Sequence, residues 1–334
     1  MPTTPRWPAP GTVPIGLIGG TGRSGTTALR DALALHPDVL AFPELRFAID
    51  PDGLVDLYRQ SGAGWSPFHA DVRLRRLEAL LAAVADDPVS ALPGRVGRWL
   101  GLDETLGRAL VPAYHGHRAE AVCPTFRQRA HELIDTLTDY RYEGAWTGTP
   151  GGARAEVCVG GPYDLGNLAG TLGGFWRAVA ADSLEHAGRT FFLDKQTWSV
   201  LWFDAILDLL PSARLVHVVR DPRDVAASTM SMRWGPKRAG DAARWVLDLL
   251  HRAAEAEARC PPGRVLTVRL EDLAYGGLRR SAEHLGIAWH PALEAADLGR
   301  VNAGRWRRDL RAGEAEEVAR ALAPWADRLG YDPA

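Results

Sequence analysis

The chain has 334 residues, 46% of them hydrophobic, which is enough to bury a full hydrophobic core. Its 39 basic and 41 acidic side chains nearly cancel, so the net charge gives no sign of a nucleic-acid or membrane-surface partner. Any anion-binding site must therefore come from a local arrangement of residues.

The cysteines and the first residues of the chain indicate the cellular compartment of the protein. Cys123, Cys158 and Cys260 are widely spaced and include no Cys-x-x-Cys pair, which argues against a disulfide framework and a zinc site. Residues 1–11 lack the basic-then-apolar pattern of a signal peptide, and no run of about 18 apolar residues is long enough to span a bilayer. We therefore expect a cytoplasmic protein without a membrane anchor.

The first predicted element is a strand, loop and helix unit. Residues 14–20, PIGLIGG, form a short apolar run ending in glycines, typical of a buried parallel strand. Leu29, Ala32 and Leu33 then recur at helical spacing, and Pro37 ends the helix. The apolar residues 39–42 predict that a further strand follows.

The rest of the chain alternates between helical and strand-like patterns. Residues 51–189 predict a mostly helical insertion. Strand-like runs resume at residues 191–193 and 214–219. An apolar helix over 198–210 separates these two strands, and a helix over about 241–259 precedes a strand over 264–269. We expect one domain over residues 1–334, of class α/β, with three layers: a central parallel sheet flanked by helices. Its core would comprise residues 12–50 and 190–310.

The glycine-rich residues 20–27, GTGRSGTT, predict a P-loop-type fold. They nearly match the pattern GxxxxGK[ST], except that Thr26 stands where the lysine is expected. Glycines let backbone N–H groups turn toward an anion, and the following helix adds its positive end. The cation has moved to Arg23, which suits a nucleotide ending in one phosphate and one sulfate without a metal. An ordinary glycine-rich turn is the alternative.

A second motif lies at residues 215–228, LVHVVRDPRDVAAS. Arg220 ends a predicted strand and Ser228 stands two turns along the next helix, so the two can converge on one phosphate. The alternative is that Arg220 pairs with Asp221 or Asp224 as a solvated helix cap.

On these residues the chain resembles the sulfotransferases that use 3′-phosphoadenylyl sulfate (PAPS), nearest to the tyrosylprotein, heparan-type and bacterial branches. Residues 35–39, LHPDV, also match the Golgi and bacterial branches. The resemblance covers roughly residues 15–47 and 191–310. It implies that the 3′ phosphate of the donor is bound by Arg220 and Ser228, and that its 5′ end is held by Gly22, Arg23, Ser24, Gly25, Thr26 and Thr27.

The same resemblance implies the catalytic residues. Residues 43–46, PELR, match the tyrosylprotein form Glu-x-Arg, with Glu44 as general base and Arg46 as its companion; a surface Glu-Arg pair is the alternative. Lys195 matches the family lysine that, with Arg23, stabilises charge on the oxygen bridging phosphate and sulfate. Here Gln196 and Thr197 stand where Thr-Pro or Pro is usual in the family.

Residues 302–310, NAGRWRRDL, resemble the C-terminal basic segment that closes over the nucleotide in the family. The resemblance implies that Arg305 and Trp306 contact the donor, and a basic surface turn is the alternative.

The function implied is transfer of the sulfuryl group of PAPS to a hydroxyl of a small-molecule, natural-product or carbohydrate acceptor. The product would be 3′-phosphoadenosine 5′-phosphate (PAP), and no metal is required. Two other interpretations stay open: a P-loop small-molecule kinase that uses ATP and magnesium, and a nucleotide-binding module without turnover.

Overall fold

The computed structural model describes residues 7–85, 118–144, 146, 156–299 and 302–332. The chain divides into two compact units, which we call the sheet unit and the helical unit. The sheet unit comprises residues 14–42, 189–207 and 212–334, and the helical unit comprises residues 1–13, 43–188 and 208–211. That the two act as one domain stays a prediction.

The strands of the described residues are β1 (Ile15–Gly20), β2 (Val39–Phe42), β3 (Tyr140–Glu143), β4 (Glu156–Val159), β5 (Phe191–Lys195), β6 (Arg214–Val219) and β7 (Val265–Arg269). The helices are α1 (Thr26–Leu33), α2 (Leu54–Ser61), α3 (Pro67–Ala85), α4 (Phe126–Leu137), α5 (Leu165–Ala187), α6 (Phe203–Leu209), α7 (Pro222–Met230), α8 (Ala239–Ala258), α9 (Gly277–Leu285), α10 (Arg305–Asp309) and α11 (Ala312–Arg328). Short 3-10 turns lie at Ala119–Ala121, Ser199–Trp202, Leu270–Tyr275 and Pro291–Ala295.

The sheet unit is built on a five-stranded parallel sheet in the order β2-β5-β1-β6-β7. All six residues of the central strand β1 are buried, because strands lie on both sides of it and helices cover both faces. The chain leaves β1 toward β2 on one side and leaves β6 toward β7 on the other. In open sheets of this kind, ligands bind at the carboxyl ends of the strands on either side of such a reversal, which here are β1 and β6.

Helices cover the sheet on both faces, as expected for three layers. On one face Ile18 and Val216 pack with Leu29 of α1 and Leu285 of α9 in a single apolar cluster. On the other face His217, Val219 and Thr267 line a cavity of about 290 Å³ together with residues of α8 and α11. The α/β class and the parallel sheet flanked by helices are thus confirmed.

The helical unit is mostly α-helix in the described residues and contains an antiparallel hairpin, β3 with β4. The leucine spacing that predicted a helix is confirmed by α3, whose Leu74, Leu77 and Leu81 are buried. The unit has an aromatic core in which Phe47 makes edge contacts with Phe126, Phe175 and Trp176. The hairpin was not expected from the sequence. Among the described helices, none combines the length and apolar character needed to cross a bilayer.

Candidate active site

The glycine loop, residues 20–27, follows β1 at the sheet's carboxyl edge. Gly22, Arg23 and Gly25 have φ angles of +85°, +56° and +99°, a left-handed conformation that favours glycine. A Cβ on Gly25 would lie 2.4 Å from a Leu270 methyl carbon, so this turn needs glycine for space as well as for its φ angle. The tight turn delivers the chain directly into α1 at Thr26.

The loop carries several polar groups close together in the chain. Ser24 is fully buried, and its hydroxyl has no hydrogen-bond partner among the described residues. Thr26 is buried at the first turn of α1, whereas Thr27 and Arg23 are exposed. Residues 23–27 thus carry three hydroxyls, one guanidinium and the first N–H groups of α1. Such a combination of groups suits phosphate or sulfate oxygens.

Arg220 extends from the end of β6 toward the glycine loop. Its side chain is 7% exposed, and one terminal nitrogen donates to the Arg23 carbonyl oxygen at 3.3 Å. The other donates to the Asn302 carbonyl at 2.5 Å and approaches Asp224 at 3.4 Å. The Arg220 Nε is buried and has no hydrogen-bond partner among the described residues. An unmatched buried donor of a charged group costs stability, which makes it a candidate ligand contact.

Ser228 completes the contact between the two motifs. It is fully buried in α7, and its hydroxyl oxygen accepts a hydrogen bond of 3.0 Å from Arg23 Nε. The helix carrying it begins at Pro222, with the Asp221 carboxylate accepting from the Arg223 N–H at 2.9 Å. The structure thus brings Arg23, Arg220 and Ser228 together, although the motifs are nearly 200 residues apart.

Lys195 lies at the same edge of the sheet. It is the last residue of β5, is 5% exposed, and stands level with Ile18 of the adjacent strand β1. The next turn is joined to the glycine loop, because the Gly20 N–H donates to the Thr197 carbonyl at 2.8 Å. The strand pairing therefore fixes the backbone of Lys195 beside that of the loop.

Glu44 and Arg46 belong to the helical unit, which includes the residues from Pro43 onward. Both are half-buried, and Arg46 has a φ of +54°. Arg46 Nε lies 3.3 Å from Asp50 Oδ1. Burial raises the pKa of Asp50, the Arg46 charge opposes that shift, and the Glu44 charge adds to it. Arg46 is thus an ion-pair partner of Asp50, while Glu44 is an acidic neighbour of the same carboxyl.

The predicted nucleotide contacts in the C-terminal segment have partners within the sheet unit. Arg305 pairs with Asp309, its Nε donating to a carboxylate oxygen at 2.7 Å. Trp306 is 4% exposed, and the guanidinium carbons of Arg223 and Arg307 lie 4.8 Å and 4.2 Å from its ring centroid. Contact of Arg305 or Trp306 with a nucleotide stays a prediction.

Two residues near these motifs were not proposed from the sequence. Trp198 flanks the glycine loop: a Cβ on Gly22 would lie 3.3 Å from its indole nitrogen. The sequence suggests Asp224 only as a solvated partner of Arg220, but its carboxylate is fully buried and accepts hydrogen bonds from the backbone N–H groups of residues 304 and 306. No sequence signal marks either role, because both depend on contacts between distant segments.

Within the described part of the chain, no group of three or more His, Cys, Asp or Glu side chains forms a metal site.

Comparison with known proteins identifies the family. The model of the Sulfotransferase family matches residues 14–291, which is most of the chain and includes both motifs. None of the curated proteins matches the chain.

Similar solved structures cover most of the chain at low identity. The sulfotransferase domain of the Synechococcus PCC 7002 olefin synthase has 16% identity, covering 98% of this chain and 99% of its own, with a TM-score of 0.47. The sulfotransferase domain from the curacin biosynthetic pathway has 14% identity, with coverages of 96% and 99% and a TM-score of 0.46. Sulfotransferase STF9 from Mycobacterium avium has 14% identity, with coverages of 97% and 78% and a TM-score of 0.45. On the match to the family model, the chain belongs to the sulfotransferase family.

Proposed function

We propose that the chain transfers the sulfuryl group of PAPS to a hydroxyl of a small-molecule, natural-product or carbohydrate acceptor. The observation that carries this proposal is the meeting of the glycine loop with Arg220 and Ser228 at the carboxyl ends of β1 and β6. A nucleotide with an extra ribose phosphate requires two anion-binding groups in one crevice, and this arrangement supplies both.

The residues present fit such a donor. Ser24 offers a buried hydroxyl without a hydrogen-bond partner among the described residues, and Arg220 offers a buried Nε–H in the same condition. An anion that accepts or donates hydrogen bonds at these two groups removes a desolvation cost. The loop would hold the 5′ phosphosulfate, and Arg220 with Ser228 would hold the 3′ phosphate.

The proposed chemistry divides among four side chains. When bound, PAPS supplies a sulfuryl group on a phosphate leaving group, and its transfer resembles in-line phosphoryl transfer. Arg23 and Lys195 would stabilise the negative charge that develops on the oxygen between phosphorus and sulfur as the bond to sulfur breaks. Glu44 would accept the proton of the acceptor hydroxyl, and Arg46 would orient Glu44 or the acceptor.

Support for Glu44 as base comes from its position in the chain and from the Glu-x-Arg resemblance. It follows β2 directly after Pro43, and the carboxyl ends of parallel strands are where such sheets place reacting groups.

We assign recognition of the acceptor to the insertion, residues 51–189. A cytoplasmic setting is part of the proposal, supported by the free thiols of Cys123, Cys158 and Cys260.

Thermal unfolding with different nucleotides tests the proposal. We expect PAP to raise the Tm, since a ligand at about a hundred times its Kd adds roughly 2.7 kcal/mol of stability. ADP, or ATP with magnesium, should raise it less because neither carries a 3′ phosphate. A shift with ATP and magnesium but none with PAP would favour the small-molecule kinase. Transfer of labelled sulfate from PAPS to an extract of acceptors would then separate an enzyme from a binding module.

A further inference from the structure

Asp224 connects α7 to a segment that lies eighty residues later in the chain. Its carboxylate is fully buried. One oxygen accepts from the Gly304 N–H at 2.9 Å, and the other accepts from the Trp306 N–H at 3.0 Å. Hydrogen bonds from backbone N–H groups to an ionised carboxylate are among the stronger ones in proteins. The carboxylate therefore fixes the backbone at Gly304 and Trp306 within residues 302–310, which we call the C-terminal segment.

The same carboxylate is next to the proposed phosphate ligand. Arg220 directs one terminal nitrogen both to Asp224, at 3.4 Å, and to the Asn302 carbonyl, at 2.5 Å. The guanidinium is thus held between α7 and the C-terminal segment. Because Asp224 binds the segment at Gly304 and Trp306, it also determines where the Asn302 carbonyl stands relative to Arg220.

The side chains of the segment reinforce this arrangement. Trp306 packs on Ala227 of α7 and Ala319 of α11, and Arg308 hydrogen-bonds the Asn302 side chain. Gly304 has a φ of +69°, which allows the backbone to turn between its two attachment points. The segment therefore contacts α7 in two ways: its backbone N–H groups bind Asp224, and its Trp306 ring packs on Ala227.

We propose that Asp224 is a positioning residue for donor binding: it orients the Arg220 guanidinium and the C-terminal segment for recognition of the 3′ phosphate. This inference rests on the proposed function. It differs from a purely structural role because it predicts a loss that is specific to ligands carrying a 3′ phosphate.

The neighbouring Asp221 offers a matched control. It also lies at the start of α7 and is buried, but its carboxylate binds the backbone and guanidinium of Arg223 at 2.8–2.9 Å and makes no hydrogen bond to the C-terminal segment among the described residues. Asp221→Asn weakens the same helix and loosens Arg223, which packs on the Trp306 ring, but it removes no contact of Arg220. A general loss of stability in this region should therefore affect both variants, whereas a positioning role should affect only Asp224→Asn.

The experiment is calorimetric titration of the full chain with PAP and with adenosine 5′-phosphate, which lacks the 3′ phosphate. For Asp224→Asn we expect PAP to bind roughly 10- to 150-fold more weakly, the range for a hydrogen bond to a charged group, with adenosine 5′-phosphate changed less than about threefold. Asp221→Asn should keep the parent's preference for PAP even where its Tm falls. Asp224→Asn retaining the parent's preference would overturn the inference.

A second variant acts from the other side of the contact. Gly304→Ala meets no atoms within 4 Å and strains only the φ angle, so α7 and its carboxylates stay intact. We expect about a fivefold loss of PAP affinity and little change for adenosine 5′-phosphate. If Asp224→Asn does not fold, an unchanged preference in Gly304→Ala overturns the inference. A parent chain that binds both nucleotides equally would instead refute the proposed function, and the inference with it.

Discussion

Arg23 Nε donates a 3.0 Å hydrogen bond to the Ser228 hydroxyl, which joins the glycine loop after β1 to the helix after β6. The sequence interpretation assigned these residues to opposite ends of one nucleotide. Their contact means that the two anion-binding groups are adjacent and that a ligand can engage both at once. Arg220 joins the same contact from β6, because its guanidinium donates to the Arg23 carbonyl at 3.3 Å.

Removing the Ser228 hydroxyl should weaken donor binding moderately. Ser228→Ala loses one acceptor and donor at a fully buried position, so we expect about a fivefold loss of PAP affinity, the effect of one hydrogen bond worth about 1 kcal/mol. Ser231→Ala is the control, since the Ser231 hydroxyl donates to the Ser228 carbonyl at 2.7 Å, just after the end of the same helix. Equal PAP affinities in Ser228→Ala and Ser231→Ala, measured by calorimetry, would contradict the assignment.

The glycine loop should not tolerate a side chain at Gly25. Gly25→Ala adds a Cβ that would meet Leu270 at 2.4 Å, on a residue with a φ of +99°. We expect PAP affinity to fall at least tenfold as the loop changes path. Gly286→Ala separates the two causes, because Gly286 has a φ of +82° but no atoms within 4 Å of the added carbon. It should lower the free energy of unfolding by about 1–2 kcal/mol and leave PAP binding as it is.

Glu44→Gln should separate chemistry from donor binding. As the proposed base, Glu44 should contribute about 10²- to 10⁴-fold to kcat for transfer to a hydroxyl, while calorimetric PAP affinity stays at the parent's level. Glu120→Gln is the matched control, because Glu120 is a partly exposed glutamate of the same unit that pairs with Arg127 at 3.1 Å. A Glu44→Gln enzyme with the parent's kcat would rule Glu44 out as the base.

The lowered pKa of Glu257 predicts that this residue stabilises the fold at neutral pH and loses that effect in acid. Hydrogen bonding from His217 lowers the pKa of Glu257, and a further bond from Thr267 acts in the same direction. Because the folded-state pKa lies below its usual value of 4.5, the stabilisation is present above pH 4.5 and is lost as the pH falls through the folded-state value. Urea unfolding at pH 6 and at pH 3.5 should show a smaller acid-induced loss in Glu257→Gln than in the parent. Equal losses would contradict this account.

Much of the sheet unit was predictable because its signals are local. The run before the glycine loop is apolar throughout, and β1 is buried at every residue. The strand before Arg220 is equally clear, and β6 is confirmed at residues 214–219. The position of β5 between β2 and β1 was not predictable, because strand order depends on pairing between distant segments rather than on hydrophobic pattern.

The β3–β4 hairpin and the role of Asp224 show what local patterns miss. All four residues of β3, YRYE, are exposed, so the strand has no buried face to produce an alternating pattern. Asp224 stands in a run of charged residues that suggests a solvated helix start, but residues 304 and 306 cover it. A buried carboxylate of this kind is revealed only when the partner N–H groups are located.

The central claim is that Arg220 recognises a 3′ phosphate, and calorimetric titration of Arg220→Ala tests it most directly. Losing a charge-assisted contact should weaken PAP binding by about 1.5–3 kcal/mol, or roughly 10- to 150-fold, and leave adenosine 5′-phosphate binding within about threefold of the parent. Arg220→Lys should recover part of the PAP affinity, because it keeps the charge but not the planar geometry. Equal PAP affinities for Arg220→Ala and the parent would contradict the account.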